Sequence, residues 1–508
     1  MTPPLWVAIL LAILGSLYTF LISLAPRSHR KDGRKLPPGP RRLPIIGNLH
    51  MLTPFPHRGL HNLAKKYGPI MSLQLGHVPT IIVSSPRAAE LFLKTHDAVF
   101  ASRPKGQLSK NLSYDTKGLA FAQYGPYWRS VRKLCTVQLL SGSKVESFCE
   151  LRREEVRLLV ERLKRAAAAG ETVDVGREVA EAIEDITYRM ILGRKKDEKD
   201  DLKGLIDEAV HLSGAFHIAD YVPFLGPLDL QGFTKRLKKT RKAIDQVLER
   251  IIMEHEKVSN EQRGQIHKNF VDILLSLIGQ PMNPKDDEVY IIDRTNIKAI
   301  LLDMVIGSYD TSSTSVSWTL SELLRNPRTM KNLQKELENV IGLDEMVDEK
   351  NLTKLNYLDI VIKESFRLHP VAPLLVPHES VKNIIIEDFF VPKQSRIIVN
   401  TWAIGRDPNI WSDNVDEFYP ERFIDSNIDQ LKGHDYRLLP FGSGRRSCPG
   451  MQLGLITVRI VVAQLVHCFN WELPSGVQPN DVDMTESFGL AVGRANQMLV
   501  KPTYRLLK

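Results

Sequence analysis

Residues Phe441 to Gly450 read FGSGRRSCPG and stand directly before an apolar run, MQLGLITVRIVVAQLVHCF, that repeats at helical spacing. Gly442, Gly444 and Gly450 permit backbone conformations closed to other residues, so the chain can bend tightly there and pass close to a flat ligand. Pro449 favours a first helical turn, where its missing N–H costs nothing. Cys448 is therefore expected at or beside a helix N-terminus. Orphan N–H groups and the positive dipole end favour an anion at such a place, and a thiolate is an anion.

The chain has four cysteines in 508 residues, Cys135, Cys149, Cys448 and Cys468. A zinc site needs further cysteines or histidines at short spacing, and none lies near Cys448. Four scattered cysteines do not form a disulfide framework. A thiolate on haem iron needs one protein ligand only, because the porphyrin supplies four. A buried, inert cysteine is the remaining alternative. The stretch resembles the haem-binding signature of the cytochrome P-450 superfamily, Phe-x-x-Gly-x-Arg-x-Cys-x-Gly, filled here by Phe441, Gly444, Arg446, Cys448 and Gly450. The resemblance makes Cys448 the axial ligand of iron in haem b and directs Arg446 to a haem propionate.

Other stretches extend the resemblance. KESFRLHP places Glu364 and Arg367 three apart, on one helix face. Alone they read as a surface ion pair of little worth. In the family they are a Glu-x-x-Arg pair, completed by the arginine of a later Pro-Glu-Arg-Phe stretch, here Arg422, in a buried structural cluster. GPYWRSVRKL carries Trp128 and Arg132 at i and i+4, similar to the family's Trp-x-x-x-Arg, which reaches the propionates. A guanidinium matches a carboxylate bidentately and an indole N–H is a donor. His378, after APLLVP, stands where the family commonly has a basic residue near a propionate.

IGSYDTSSTS lies between two apolar stretches of helical spacing. Its small and hydroxylated residues are poor helix formers, and their hydroxyls can bond backbone carbonyls. One reading starts a new helix at Asp310 as N-cap. The family reading is one long central helix with Asp310 and Thr311 as the proton-handling pair, Ser308 replacing the usual glycine and Tyr309 in the variable position.

Residues 5–25 contain no charge, enough to span a bilayer as a helix. Positive charge follows that run rather than preceding it, which orients the body to the cytosol and disfavours a cleaved signal. The formal net charge is +9. Residues 26–42 hold seven Lys/Arg against one Asp, so most of the excess is a juxtamembrane patch suited to membrane lipid. No nucleic-acid motif occurs, and no nucleic-acid partner is expected. The expected organisation is a membrane anchor at 1–25, a basic and proline-rich hinge at 26–43, and one domain over 44–508.

The expected fold class is α+β, mainly α-helical, with a small β region. Helices are predicted at 144–169, 233–257, 296–325, 330–340, 356–369 and 451–469, and strands at 70–75, 78–83, 384–386 and 396–400. The resemblance, closest to microsomal plant members, implies a single-pass endoplasmic reticulum protein that inserts one atom of dioxygen into a lipophilic small molecule. No dinucleotide-binding fingerprint opens a helix after a strand. Electrons must then come from elsewhere, and the resemblance implies NADPH as their source, through a partner NADPH-cytochrome P-450 reductase. Val371, Ala372, Leu374, Leu375, Phe488 and Leu490 are the expected substrate-pocket lining, uncharged throughout. Two alternatives remain at this level: a family member that rearranges or dehydrates its substrate without reductase, and a non-enzymatic haem protein.

Overall fold

The computed structural model describes residues 34–195, 202–261, 269–285, 288–424 and 433–507, with isolated positions elsewhere. The expected membrane helix lies, except for four positions, outside them. The chain divides into two compact units.

The first unit comprises Met1–Pro104, His217–Gln231 and Leu374–Ala403. Helix α1 (Pro56–Tyr67) opens on a proline in its first turn. The two predicted strands, β1 (Ile70–Leu75) and β2 (Val78–Val83), pair as a hairpin, in register Leu75↔Val78. Gly76 turns it at a φ of 56°, and a Cβ there would collide with Tyr221 O. Strands β3 (His378–Glu379) and β4 (Arg396–Val399) complete a sheet of order β1-β2-β4-β3, with β2 and β4 parallel. Leu60, Met71, Leu73, Leu75, Ile82 and Ile398 are its apolar core.

The second unit, Lys105–Phe216, Gly232–Pro373 and Ile404–Lys508, is mainly helical. Its site-bearing helices are α2 (Pro126–Leu134), α3 (Val175–Leu192), α4 (Leu202–Gly214), α5 (Arg294–Arg325), α6 (Asn356–Leu368) and α7 (Met451–Cys468). Strands β5 (Phe469–Glu472) and β6 (Leu499–Tyr504) pair antiparallel. Helix α5 packs against α3, α4, α6 and α7. It buries Ile297, Ile300, Leu301, Leu320 and Leu323, each contributing about 1.5–3 kcal/mol by leaving water. Trp318 on the same helix stacks on His369 at 4.3 Å and donates to Val492 O at 2.9 Å. Helix α7 is long and apolar enough to cross a bilayer, but 67% of it is buried within the protein, as befits a core helix.

Two expectations are corrected in detail, and one alternative is closed. The helix predicted at 144–169 is two, Gly142–Ser147 and Cys149–Ala169, broken at Phe148. The helix predicted at 233–257 runs on to Glu261. Asp310 caps no helix: α5 passes through it unbroken, and the N-cap is Asp293, whose side chain accepts from Asn296 N–H at 2.7 Å.

Candidate active site

The cysteine loop is built from the left-handed conformations its glycines supply. Gly442 and Gly444 have φ of 65° and 68°. Buried Ser443 between them donates to Gly433 O at 2.6 Å and shares a hydrogen bond with Tyr436 OH at 3.0 Å. The Phe441 carbonyl accepts from Cys448 N–H at 2.9 Å, closing the loop before α7. Phe441 meets Phe366 edge-on at 5.7 Å. Cys448 is thus presented, half-buried, three residues ahead of the helix by its own loop. Burial pushes its thiol up, while the Gly450 amide and the Arg132 guanidinium act in the opposite direction.

Arg132, on α2, is the nearest of the predicted cationic residues to that sulfur in its electrostatics. Burial lowers its pKa, and Cys448 is the first group that counters this. Its guanidinium is paired with no carboxylate among the described residues. Trp128, one turn earlier, is buried and donates to Leu119 O at 3.2 Å. Arg446 lies over the Trp128 ring at 4.2 Å and donates to Leu119 O at 3.4 Å and to Ala122 O. The structure therefore brings Trp128, Arg132, Arg446 and Cys448 together from α2 and the cysteine loop. One soft donor atom, a half-buried guanidinium without a carboxylate partner among the described residues and a second guanidinium held by two carbonyls and an indole ring fit a haem with its two propionates. His378 belongs to the first unit. There it pairs with Ile397 in the sheet, and its Nδ1 meets Phe100 O at 2.8 Å.

Glu364, Arg367 and Arg422 also converge. Arg367 Nε and Nη2 meet the two Glu364 oxygens at 2.7 and 2.8 Å, and Arg422 Nε meets Glu364 Oε1 at 2.9 Å. The remaining Arg367 donors reach the carbonyls of Gly405, Val415 and Glu417. Glu364 and Arg367 are almost wholly buried, so the cluster is not the surface pair that spacing alone suggests.

On α5 the hydroxyls turn back on their own helix. Thr311 donates to Gly307 O at 3.0 Å, Ser313 to Asp310 O at 3.1 Å and Ser315 to Thr311 O at 2.8 Å. Ser308 and Tyr309 face other helices: Ser308 meets Thr187 of α3 at 3.1 Å, and Tyr309 donates to Asp207 of α4. The Asp310 carboxyl is pushed up to about 6, by burial first and then by the Asp207 charge. It is a group that takes and releases a proton near neutrality.

Of the predicted lining, Val371 accepts from Val492 N–H at 2.8 Å, in the turn that follows α6. Leu490 lies against α4, where a side chain on Gly214 would collide with its amide. Phe488 is 37% exposed. Ala372 follows Val371 in the second unit, whereas Leu374 and Leu375 belong to the first. Leu374 packs on the Leu60–Met71 core there. Sequence reasoning passed over Asp303 and Asp207. The available signal for Asp303 was an acid inside the apolar stretch IKAILLDMV.

A family model described as cytochrome P450 matches residues 37–499. The chain is similar to cytochrome P450 CYP736A12 of Panax ginseng, at 55% identity over 99% of this chain and all of that one. It is similar to 3,9-dihydroxypterocarpan 6A-monooxygenase of Glycine max, at 38% identity over 98% of each. Among solved structures it resembles a zebra fish cytochrome P450 determined with abiraterone, with a TM-score of 0.73 and 26% identity over 89% of this chain and all of that one.

Proposed function

This chain belongs to the cytochrome P450 family, as a plant-type monooxygenase, and from that premise we propose that it oxygenates a lipophilic plant metabolite of terpenoid or phenolic skeleton. The convergence of Cys448 with a counter-ion-free Arg132 carries the reading of a haem-thiolate centre. The uncharged residues Val371, Ala372 and Leu490 of the second unit support a lipophilic substrate. The Glycine max relative, named for a pterocarpan, supports a phenolic ring system. Electrons come from NADPH through a membrane-bound reductase.

Haem, when bound, supplies dioxygen activation and oxygen transfer. Cys448 would ligate its iron. Arg132, Arg446 and Trp128 would hold its propionates, and Phe441 would pack beside the sulfur. Asp310 and Thr311 would handle protons for that chemistry. Thr311 Oγ1 spends its own proton on Gly307 O, which leaves its lone pairs to order a water. Asp310, half-buried beside Asp207, exchanges protons with such a water at neutral pH.

Thr311→Ala tests this. NADPH use continues with haem content unchanged, product per NADPH falls by roughly tenfold or more, and hydrogen peroxide appears instead. Assays of NADPH, product and peroxide together read it. Unchanged coupling removes Thr311 from proton delivery, and turnover of a supplied hydroperoxide without NADPH favours the rearranging alternative.

The uncharged run at 5–25 and the basic segment after it support a single-pass anchor in the endoplasmic reticulum, with the body in the cytosol. Deleting residues 2–25 shifts the protein from the membrane pellet towards the soluble fraction with its haem spectrum intact. Full retention in the pellet after a salt wash, which removes charge-held protein, counts against the anchor.

A further inference from the structure

Leu119 is bonded on both sides of its peptide plane. Its N–H donates to Asp303 Oδ2 at 2.6 Å, and the next amide, Ala120 N–H, donates to the same oxygen at 3.0 Å. Its carbonyl accepts from both Trp128 Nε1 and Arg446 Nη1, and Ala122 O takes the other Arg446 nitrogen. Asp303 stands on α5, about two turns before Asp310. No arginine or lysine among the described residues is paired with it, and burial pushes its carboxyl up to about 6. Holding it ionised at neutral pH therefore costs stability, and the two amides are its compensation. Gly118 leaves room for this contact, since a Cβ there would collide with Asp303 Oδ2.

We propose that Asp303 is a positioning residue for the cofactor: it clamps residues 118–122 to α5, and that segment holds Trp128 and Arg446 where they meet the haem propionates. The proposal rests on the propionate placement given above. It assigns a task to an acid on the oxygen-side helix that is separate from proton delivery. A chain of four groups, carboxylate, amide plane, indole and guanidinium, passes the position of α5 to the cations of the cysteine loop. Movement of α5 at Asp303 is thereby transmitted to the propionates without passing through the iron.

The test uses the full-length holoprotein and three variants, Asp303→Asn, Gly118→Ala and Arg446→Ala. The readouts are haem transfer to an apoglobin acceptor, the thermal midpoint and the propionate bending bands of the resonance Raman spectrum. Asp303→Asn removes the charge-assisted acceptor, so haem transfer becomes on the order of tenfold faster and the propionate bands move. Its thermal midpoint at neutral pH stays level or rises, because a buried anion has been removed. Gly118→Ala keeps the carboxyl but displaces it from its amides, and shows the same two changes. It carries the test if Asp303→Asn does not fold. Arg446→Ala, with faster transfer, validates the propionate placement, and wild-type transfer in that variant overturns placement and clamp together. Faster transfer in Arg446→Ala with wild-type rates and bands in the other two overturns the clamp alone. So does faster loss in Asp303→Asn that merely follows a lowered midpoint, with the bands unmoved.

Discussion

Cys448→Ser abolishes the thiolate-type carbon monoxide spectrum and takes product formation below detection, the largest effect expected of any single substitution in this chain. A serine hydroxyl is of similar size, and the loop that presents it is held by backbone and glycine geometry, with the Phe441 carbonyl bonded to the amide of residue 448 rather than to its side chain. The fold therefore survives and the chemistry does not. A neutral hydroxyl supplies none of the electron density a thiolate gives to iron. Cys135 and Cys468 are fully buried within the helical core, and Cys149 stands at the start of the helix after Phe148. Serine at any of these three leaves the spectrum in place. A normal carbon monoxide spectrum in Cys448→Ser, or its loss in Cys149→Ser, overturns the assignment of the ligand.

Glu364→Gln removes the holoprotein rather than the activity alone. The carboxylate compensates two buried guanidiniums, and Tyr419 N–H donates to it as well, at 2.9 Å. All five N–H groups of Arg367 are engaged, two with Glu364 and three with carbonyls of the 405–417 segment. Loss of the anion strands Arg367 and Arg422 as uncompensated cations, at a cost of about 3–5 kcal/mol. Against a net stability of about 5–15 kcal/mol that is enough to deplete the folded state. The exposed pair of Arg328 with Glu421 is the contrast: Arg328 is 59% exposed, and Arg328→Ala costs roughly 1 kcal/mol or less. Thermal midpoints and haem per polypeptide measure both. A Glu364→Gln protein with wild-type midpoint and haem content shows that the cluster is dispensable.

Local signals were legible in the sequence where one element carried its own evidence. The β1 and β2 strands follow from an alternating apolar run, IMSLQL, and a β-branched run, VPTIIV, on either side of Gly76, and α5 from an apolar run that the hydroxylated block does not interrupt. The family resemblance extends to the fold and the monooxygenase class. Helix α3 escaped notice because its face towards the core includes Glu184 and Thr187, which blur its apolar period. The break at Phe148 has no proline or glycine to announce it. Asp303 left one mark, an acid inside an apolar stretch, but its role was illegible for a different reason. Its partners are backbone amides more than 180 residues away, and an amide leaves no mark on the identity of the residue that owns it. Leu374 was read as pocket lining from its position after α6, but its contacts are with the core of the sheet unit.

The sheet of the first unit has a consequence for biosynthesis. Strand β2 takes its parallel partner from β4, with Thr80 opposite Arg396. A ribosome adding about 5–20 residues per second needs tens of seconds to cover that interval. Throughout it the hairpin exists with one edge unpaired, and Ile81, Ile82 and Val83, buried in the finished protein, stand open to water. An open apolar edge of this kind is a template for wrong partners. The yield of this protein in a heterologous host is therefore set by what shelters residues 78–83 while the remainder of the chain is being made.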